Sequence, residues 1–254
     1  ATALIDSSAE DPLFLQIDAV RSRVCPDRSP DTWKELSGIV RNLVHLSSDN
    51  RRRELAELWS TIENTAAMPL TIAFIGEFNA GKSSLLNAMI GRRILPAGVL
   101  PTTCLPCRIE HAEIEALISI TRGGTLAPHQ PAALDSLLRE SHSAGGDQAD
   151  KREYAGLHLF ISMPPYAGLR LIDLPGLNAR LVRHQTCSES AVEEADVIVW
   201  VDNAAQFSAA SNRIARDRLI RPWQTLIPVL NRIDEIDPAE RNEVVVSWKE
   251  YNNK

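Results

Sequence analysis

The stretch "GEFNAGKSSLLNAMIG", residues 76–91, decides the fold. It opens with Gly76, closes a loop with Gly81, Lys82 and Ser83, and continues as an amphipathic run, giving the pattern G-x-x-x-x-G-K-S. "LTIAFIG" before it, Leu70 to Gly76, reads as a short buried strand, and "KSSLLNAMI" after it reads as a helix. Glycines at both ends let the backbone wrap a phosphate chain, and N–H groups at the helix N-terminus face its negative charge. Lys82 is expected to reach the β- and γ-phosphates, and the Ser83 hydroxyl to join a Mg²⁺ shell. Gly76, Glu77, Phe78, Asn79, Ala80, Gly81, Lys82, Ser83 and Ser84 therefore form the expected cradle, and the ligand class is a nucleoside triphosphate.

Working outward, strand and helix signals alternate from Pro69 onward, which implies a doubly wound, mainly parallel sheet covered on both faces. The expected strands are "LTIAFIG", "CLPCRIEHA", "EALISITR", "LHLFISMP", "GLRLIDLPG", "ADVIVWVDN" and "QTLIPVLNR", with helices at 82–91, 130–142, 185–195, 208–219 and 239–250. Residues 1–68 differ. Apolar residues at helical spacing, Leu13 to Val24, Trp33 to Leu43 and Leu55 to Ile62, mark three amphipathic helices ahead of the first strand. Two readings of that N-terminal helical segment stand side by side: an extension packed on the α/β domain, or part of a separate stalk or neck. The fold class is thus an α/β P-loop domain, 69–254, with an N-terminal helical extension.

Two further segments narrow the ligand. "LRLIDLPGLN" ends a strand with Asp173 and places Gly176 three residues later, so Asp173 can hold Mg²⁺ and the Gly176 N–H can sense the γ-phosphate. In "LIPVLNRIDEID", Asn231, Arg232 and Asp234 form N-[K/R]-x-D at the end of an apolar strand, where ligands enter an α/β sheet. A carboxylate there pairs with the N1–H and N2–H₂ edge of guanine, an edge that adenine does not offer. A buried Asp234 carboxylate is expected, with the Arg232 stem lying over the P-loop in place of the usual lysine. The nucleotide is read as GTP or GDP.

Composition agrees and excludes other classes. At 254 residues and 44% hydrophobic the chain can bury a full core, and a net charge of −6 argues against a surface that coats nucleic acid. Cys25, Cys104, Cys107 and Cys187 are too few and scattered for a disulfide framework, and Cys104/Cys107 lack a second pair for zinc. The acidic start "ATALIDSSAEDPLF" is unlike a signal peptide, and no 18-residue apolar run occurs. The expected location is the cytoplasm, with any membrane contact peripheral at the inner face. His111, His129, His142, His158 and His184 read as surface or loop histidines, and Arg51, Arg52 and Arg53 as a solvated face or a lipid contact.

"GEFNAGKSSLLNAMIGRRILPAGVLPTTCLPCRI" resembles the P-loop and first switch of the bacterial dynamin-like GTPases, in which "LP-x-G-V-x-P-T-T" follows the first helix. The resemblance covers roughly residues 69–236. It implies a GTPase whose heads pair across their nucleotides, with a helical stalk and membrane remodelling. By matching position it makes Thr103 the switch threonine, which would meet Mg²⁺ and the attacking water, with Thr102 beside it. Departures exist: Phe78 stands where eukaryotic dynamins carry a water-orienting glutamine, and Leu177 where Ras-like proteins keep one. Asn79 matches the P-loop asparagine of the potassium-activated GTPases that resemble the tRNA-modifying GTPase family. That match implies K⁺ beside the β–γ bridge, aiding Lys82 and Thr103; the other reading is that Asn79 only shapes the turn. A GTPase also needs one more strand and helix after "AERNEVVVSWKEY", so these and the stalk are expected from a longer protein or a second chain. The competing class is an Era-like switch in RNA or ribosome assembly, and the acidic balance, the early helices and "LPAGVLPTT" favour the dynamin-like one.

Overall fold

The computed structural model describes residues 68–96, 105–140, 154–177 and 189–252, with single helical positions at 38, 39, 42, 53, 56, 57 and 60 ahead of them. The chain divides into two compact units between Pro69 and Leu70. In the N-terminal unit positions 38, 39 and 42 fall inside the second expected helix and 56, 57 and 60 inside the third, with 53 two residues ahead of it, while the first, Leu13 to Val24, lies outside the described residues.

The C-terminal unit is built on β1 (Leu70–Gly76), β2 (Cys107–His111), β3 (Ala116–Thr121), β4 (Leu126–His129), β5 (Tyr154–Ile161), β6 (Leu169–Asp173), β7 (Val197–Asn203) and β8 (Thr225–Asn231). They form one sheet in the order β4-β3-β5-β2-β6-β1-β7-β8. β1 is buried along its whole length because it sits between β6 and β7, parallel to both, with Phe74 opposite Asp173 and Gly76 opposite Val201. β8 continues the parallel half beside β7. On the other side β2 runs antiparallel to β6 but parallel to β5, and β3 is antiparallel to both β5 and β4. The sheet is therefore mixed, and its parallel half carries the P-loop.

β4 is a strand that sequence reading does not give. Its "LAPH" has one large apolar residue and a proline, and it survives only as an edge. The opposite described edge, β8, also carries a proline, Pro228.

Four helices are described: α1 (Lys82–Ile90), α2 (Leu134–Glu140), α3 (Ala210–Leu219) and α4 (Arg241–Asn252), with helical turns at 189–193. On one face Ala73, Ile75, Ile172, Leu174, Ile198 and Trp200 pack under Ala191, Val192 and Ala195. α1 supplies Leu86 and Met89 to the core, and Tyr166 caps its end by donating to the Met89 carbonyl at 2.7 Å. Burial of each large apolar side chain is worth about 1.5–3 kcal/mol, and Trp200, Phe74 and Ile72 contribute it at the centre of the sheet.

The histidine reading needs correction. His111, His129 and His158 lie on strands and are paired: His158 Nε2 meets Glu110 at 2.9 Å and stacks on Phe160, His129 meets Ser119 at 2.8 Å, and His111 Nδ1 accepts the Met163 N–H at 3.0 Å. Glu110 also takes Arg170, and these partners hold its carboxyl below the usual range despite burial. Polar neighbours on adjacent strands are invisible until the register is known. His142 and His184 lie outside the described residues.

Candidate functional site

The parallel register brings the carboxyl ends of β1, β6, β7 and β8 to one edge, and every described residue expected to meet the nucleotide lies there except Ser84. Gly76 ends β1 against the Val201 carbonyl, where a Cβ would lie 2.2 Å from the oxygen. The chain then turns, with the Ala80 N–H bonded to the Glu77 carbonyl, and Asn79 takes φ 62°, a left-handed conformation that asparagine tolerates. Gly81 follows at φ 93° as the N-cap of α1.

Lys82 is buried beneath this loop, where its Nζ donates to the Gly76 carbonyl at 3.1 Å and the Glu77 carbonyl at 2.9 Å. Burial pushes its pKa down to about 8, opposed by the nearby carboxylates of Asp173 and Glu77. The lysine thus lies folded into the loop it is expected to serve. Ser83, one residue on, donates its hydroxyl to Asp173 Oδ2 at 2.7 Å. Asp173 is fully buried at the end of β6, so the hydroxyl and carboxylate form a pair of hard oxygen donors, the donor chemistry that Mg²⁺ requires.

The other expected residues distribute as follows. Gly176 lies under the loop, where a Cβ would come within 2.7 Å of the Phe78 Cα, and the Leu177 N–H reaches the Gly76 carbonyl at 3.3 Å. Phe78 is half-buried, and Glu77 is buried with the Ser211 hydroxyl 3.4 Å from its carboxylate. Ser84 is exposed on α1, away from the cradle's buried members. Asn231 Nδ2 donates to the Ala80 carbonyl at 2.8 Å, and its own carbonyl accepts the Ala204 N–H at 3.0 Å. One asparagine therefore ties the end of β8 to the P-loop and to the β7 exit.

One expectation is corrected here. Asp234 is exposed, not buried, because it sits in a 3₁₀ turn, Ile233–Glu235, that projects beyond the end of β8. Arg232 opens that turn at φ 60°, and its guanidinium pairs with Glu235 at 2.9 Å. Thr102, Thr103 and Cys104 lie outside the described residues. Cys107 is fully buried on β2, and burial pushes its thiol well above the usual range, as expected of a packing residue.

Sequence reading missed Asn87. Its Oδ1 accepts the N–H groups of Ile94 and Leu95 at 3.0 and 2.8 Å, and its Nδ2 donates to the Leu95 carbonyl at 2.8 Å, fixing the exit from α1. A polar residue within "LLNAMI" was the available signal.

A family model described as the dynamin family matches residues 72–233. Dynamin-like protein 2 of Campylobacter jejuni is 30% identical over 200 residues, covering 76% of this chain and 30% of that protein. Dynamin-like protein A of Bacillus subtilis is 26% identical over 189 residues, covering 73% of this chain and 15% of its own length. The chain spans less than a third of either relative. A solved structure of an oligomerised bacterial dynamin pair superposes with a TM-score of 0.54 at 18% identity, over 94% of this chain and 38% of that one, and so shares its fold. Because the family model covers more than half of the chain, including the P-loop, the DLPG turn and Asn231, this chain belongs to the dynamin family.

Proposed function

We propose that this chain is the head of a dynamin-like protein that binds GTP with Mg²⁺, hydrolyses it to GDP and phosphate, and couples that cycle to pairing of two heads and to work on a membrane. The observation that carries the reading is the meeting of Lys82, the Ser83–Asp173 pair and Asn231 at one end of the sheet. Each answers a different part of a guanine nucleotide. Lys82, freed from the Gly76 and Glu77 carbonyls, places its ammonium against the β- and γ-phosphates. Backbone N–H groups of Asn79 and of Gly81 to Ser83 face the phosphate oxygens, that of Ala80 being bonded to the Glu77 carbonyl. Ser83 and Asp173 would hold Mg²⁺, whose charge would offset that of the phosphates. Asn231 keeps the base-binding turn registered on the loop, and Asp234 takes the N1 and N2 edge, its exposure ending when the base covers it.

Phe78 and Leu177 offer no amide to orient water, so Thr103 positions the nucleophile, and the remaining charge compensation comes from K⁺ held by Asn79 or from a facing head. Such compensation raises kcat by about 10³ to 10⁵ in related chemistry. Self-association and membrane work are supported by the solved bacterial pair, described as oligomerised and as sensing and tethering membranes. No helix among the described residues is long and apolar enough to cross a membrane. Residues 1–68 are assigned to the neck or stalk. The Era-like alternative has less support, since the matched family and both relatives carry the dynamin name.

Turnover of GTP by the full-length protein tests the reading. Expected are GTP but not ATP hydrolysis, loss on chelation of Mg²⁺, and a rate per head that rises with protein concentration. Equal use of ATP would overturn the guanine assignment, and a rate per head independent of concentration would overturn pairing.

A further inference from the structure

We propose that Arg241 is a specificity-positioning residue, which aims the Asp234 carboxylate by fixing the backbone of the turn that carries it. The inference rests on the guanine reading above and extends it to a residue outside the N-[K/R]-x-D motif.

The turn's own hydrogen bonds leave gaps. The Arg232 carbonyl accepts the Glu235 N–H at 3.1 Å, the Ile233 carbonyl accepts the Ile236 N–H at 3.3 Å, and the Asp237 carbonyl accepts the Glu240 N–H at 2.9 Å. Between these, the carbonyls of Asp234 and Ile236 receive Arg241: Nη2 donates to Asp234 at 2.9 Å and Nε to Ile236 at 3.0 Å. One planar guanidinium thus serves both carbonyls, a task its fixed fork of donors suits and a single ammonium performs only in part.

Where Arg241 stands strengthens the case. It is the first residue of α4, and a positive charge at a helix N-terminus opposes the macrodipole, so its placement does not serve the helix. α4 is anchored separately further along, by the Trp248 indole N–H on Asp202 at 2.8 Å and by Arg216 Nη1 donating to Asn252 Oδ1 at 2.6 Å. Arg241 is therefore presented to the turn from a helix held elsewhere along its length. Asp234, by contrast, is exposed, and its direction depends on the backbone beneath it. A carboxylate that must meet two base donors loses selectivity when that backbone drifts.

The test measures GDP and ADP affinity and nucleotide-free melting for the full-length wild type, R241A, R241K and D234A. Expected are a strong GDP preference in the wild type, its loss in D234A, and in R241A a fall in GDP affinity of about tenfold with ADP affinity unchanged. R241K should fall between, since lysine remakes one contact, and it stays informative if R241A fails to fold. Melting of R241K should stay close to wild type. R241 variants that keep the wild-type GDP-to-ADP ratio, or weaken both nucleotides alike, overturn this proposal while D234A still upholds the guanine reading. A wild type without GDP preference overturns both.

Discussion

Asn231 Nδ2 sits 2.8 Å from the Ala80 carbonyl, in the space that a side chain on Gly81 would take, 2.3 Å from a Cβ built there. The end of β8 and the P-loop thus meet through this contact. Gly81→Ala should be damaged twice, by the strain of φ 93°, about 1–3 kcal/mol, and by displacement of Asn231. Thermal melting should drop and GDP binding should vanish. Asn231→Ala should weaken GDP by about 10- to 100-fold through the lost bridge. A Gly81→Ala protein that binds GDP normally would refute the shared contact.

Lys82 gives a pH signature. With its pKa lowered to about 8, nucleotide-free Lys82 is charged at neutral pH and becomes neutral above that point. The folded state then holds fewer protons than the unfolded one, so this residue's burial penalty is full below about pH 8 and shrinks as pH rises through the folded pKa. Phosphates restore the charged form. GDP binding at about pH 8.5 should therefore take up protons, seen as a binding enthalpy that changes with the buffer's ionisation enthalpy, and at about pH 7 it should not. Equal enthalpies at the higher pH would count against a perturbed Lys82.

The Ser83–Asp173 contact predicts a split between metal and nucleotide. Ser83→Ala removes one Mg²⁺ donor and one hydrogen bond to a buried carboxylate, so hydrolysis should need about tenfold more Mg²⁺. GDP affinity in chelator should be close to wild type. A mutant with an unshifted Mg²⁺ requirement would remove Ser83 from the metal's shell.

Asn79 can be divided into shape and chemistry. Its φ of 62° is a conformation glycine adopts without cost, so Asn79→Gly keeps the turn and deletes the amide. If the amide holds K⁺, the glycine variant should bind GDP normally while K⁺ no longer exceeds Na⁺ as an activator of turnover. Retained K⁺ activation would reduce Asn79 to a shaping residue.

How far the sequence spoke differs from element to element. β1, the P-loop and α1 were legible because a local pattern carries both their shape and their chemistry, and Asn231 because its motif ends an apolar strand. β4 was not, since "LAPH" has no alternation, and β2's reversal was not, since apolar periodicity carries no strand direction. The exposure of Asp234 follows from a 3₁₀ turn that "NRIDEID" does not announce. Asn87 and Arg241 act on backbone atoms some distance along the chain, and a contact of that kind leaves no spacing rule to read.

Asp202 lies buried at the end of β7 and accepts the indole N–H of Trp200 on one oxygen and of Trp248 on the other. The two chromophores share one carboxylate, Trp200 fixed in the sheet and Trp248 carried by α4. Movement of α4 would disturb the Trp248 bond to Asp202 and, through that shared carboxylate, the emission of both indoles. Trp223, 72% exposed, is open to a soluble quencher that the sheltered Trp200 resists. Asp202 therefore couples α4, the helix that follows the Asp234 turn, to tryptophan emission, and a Trp248→Phe variant separates that signal from those of Trp33, Trp59, Trp200 and Trp223.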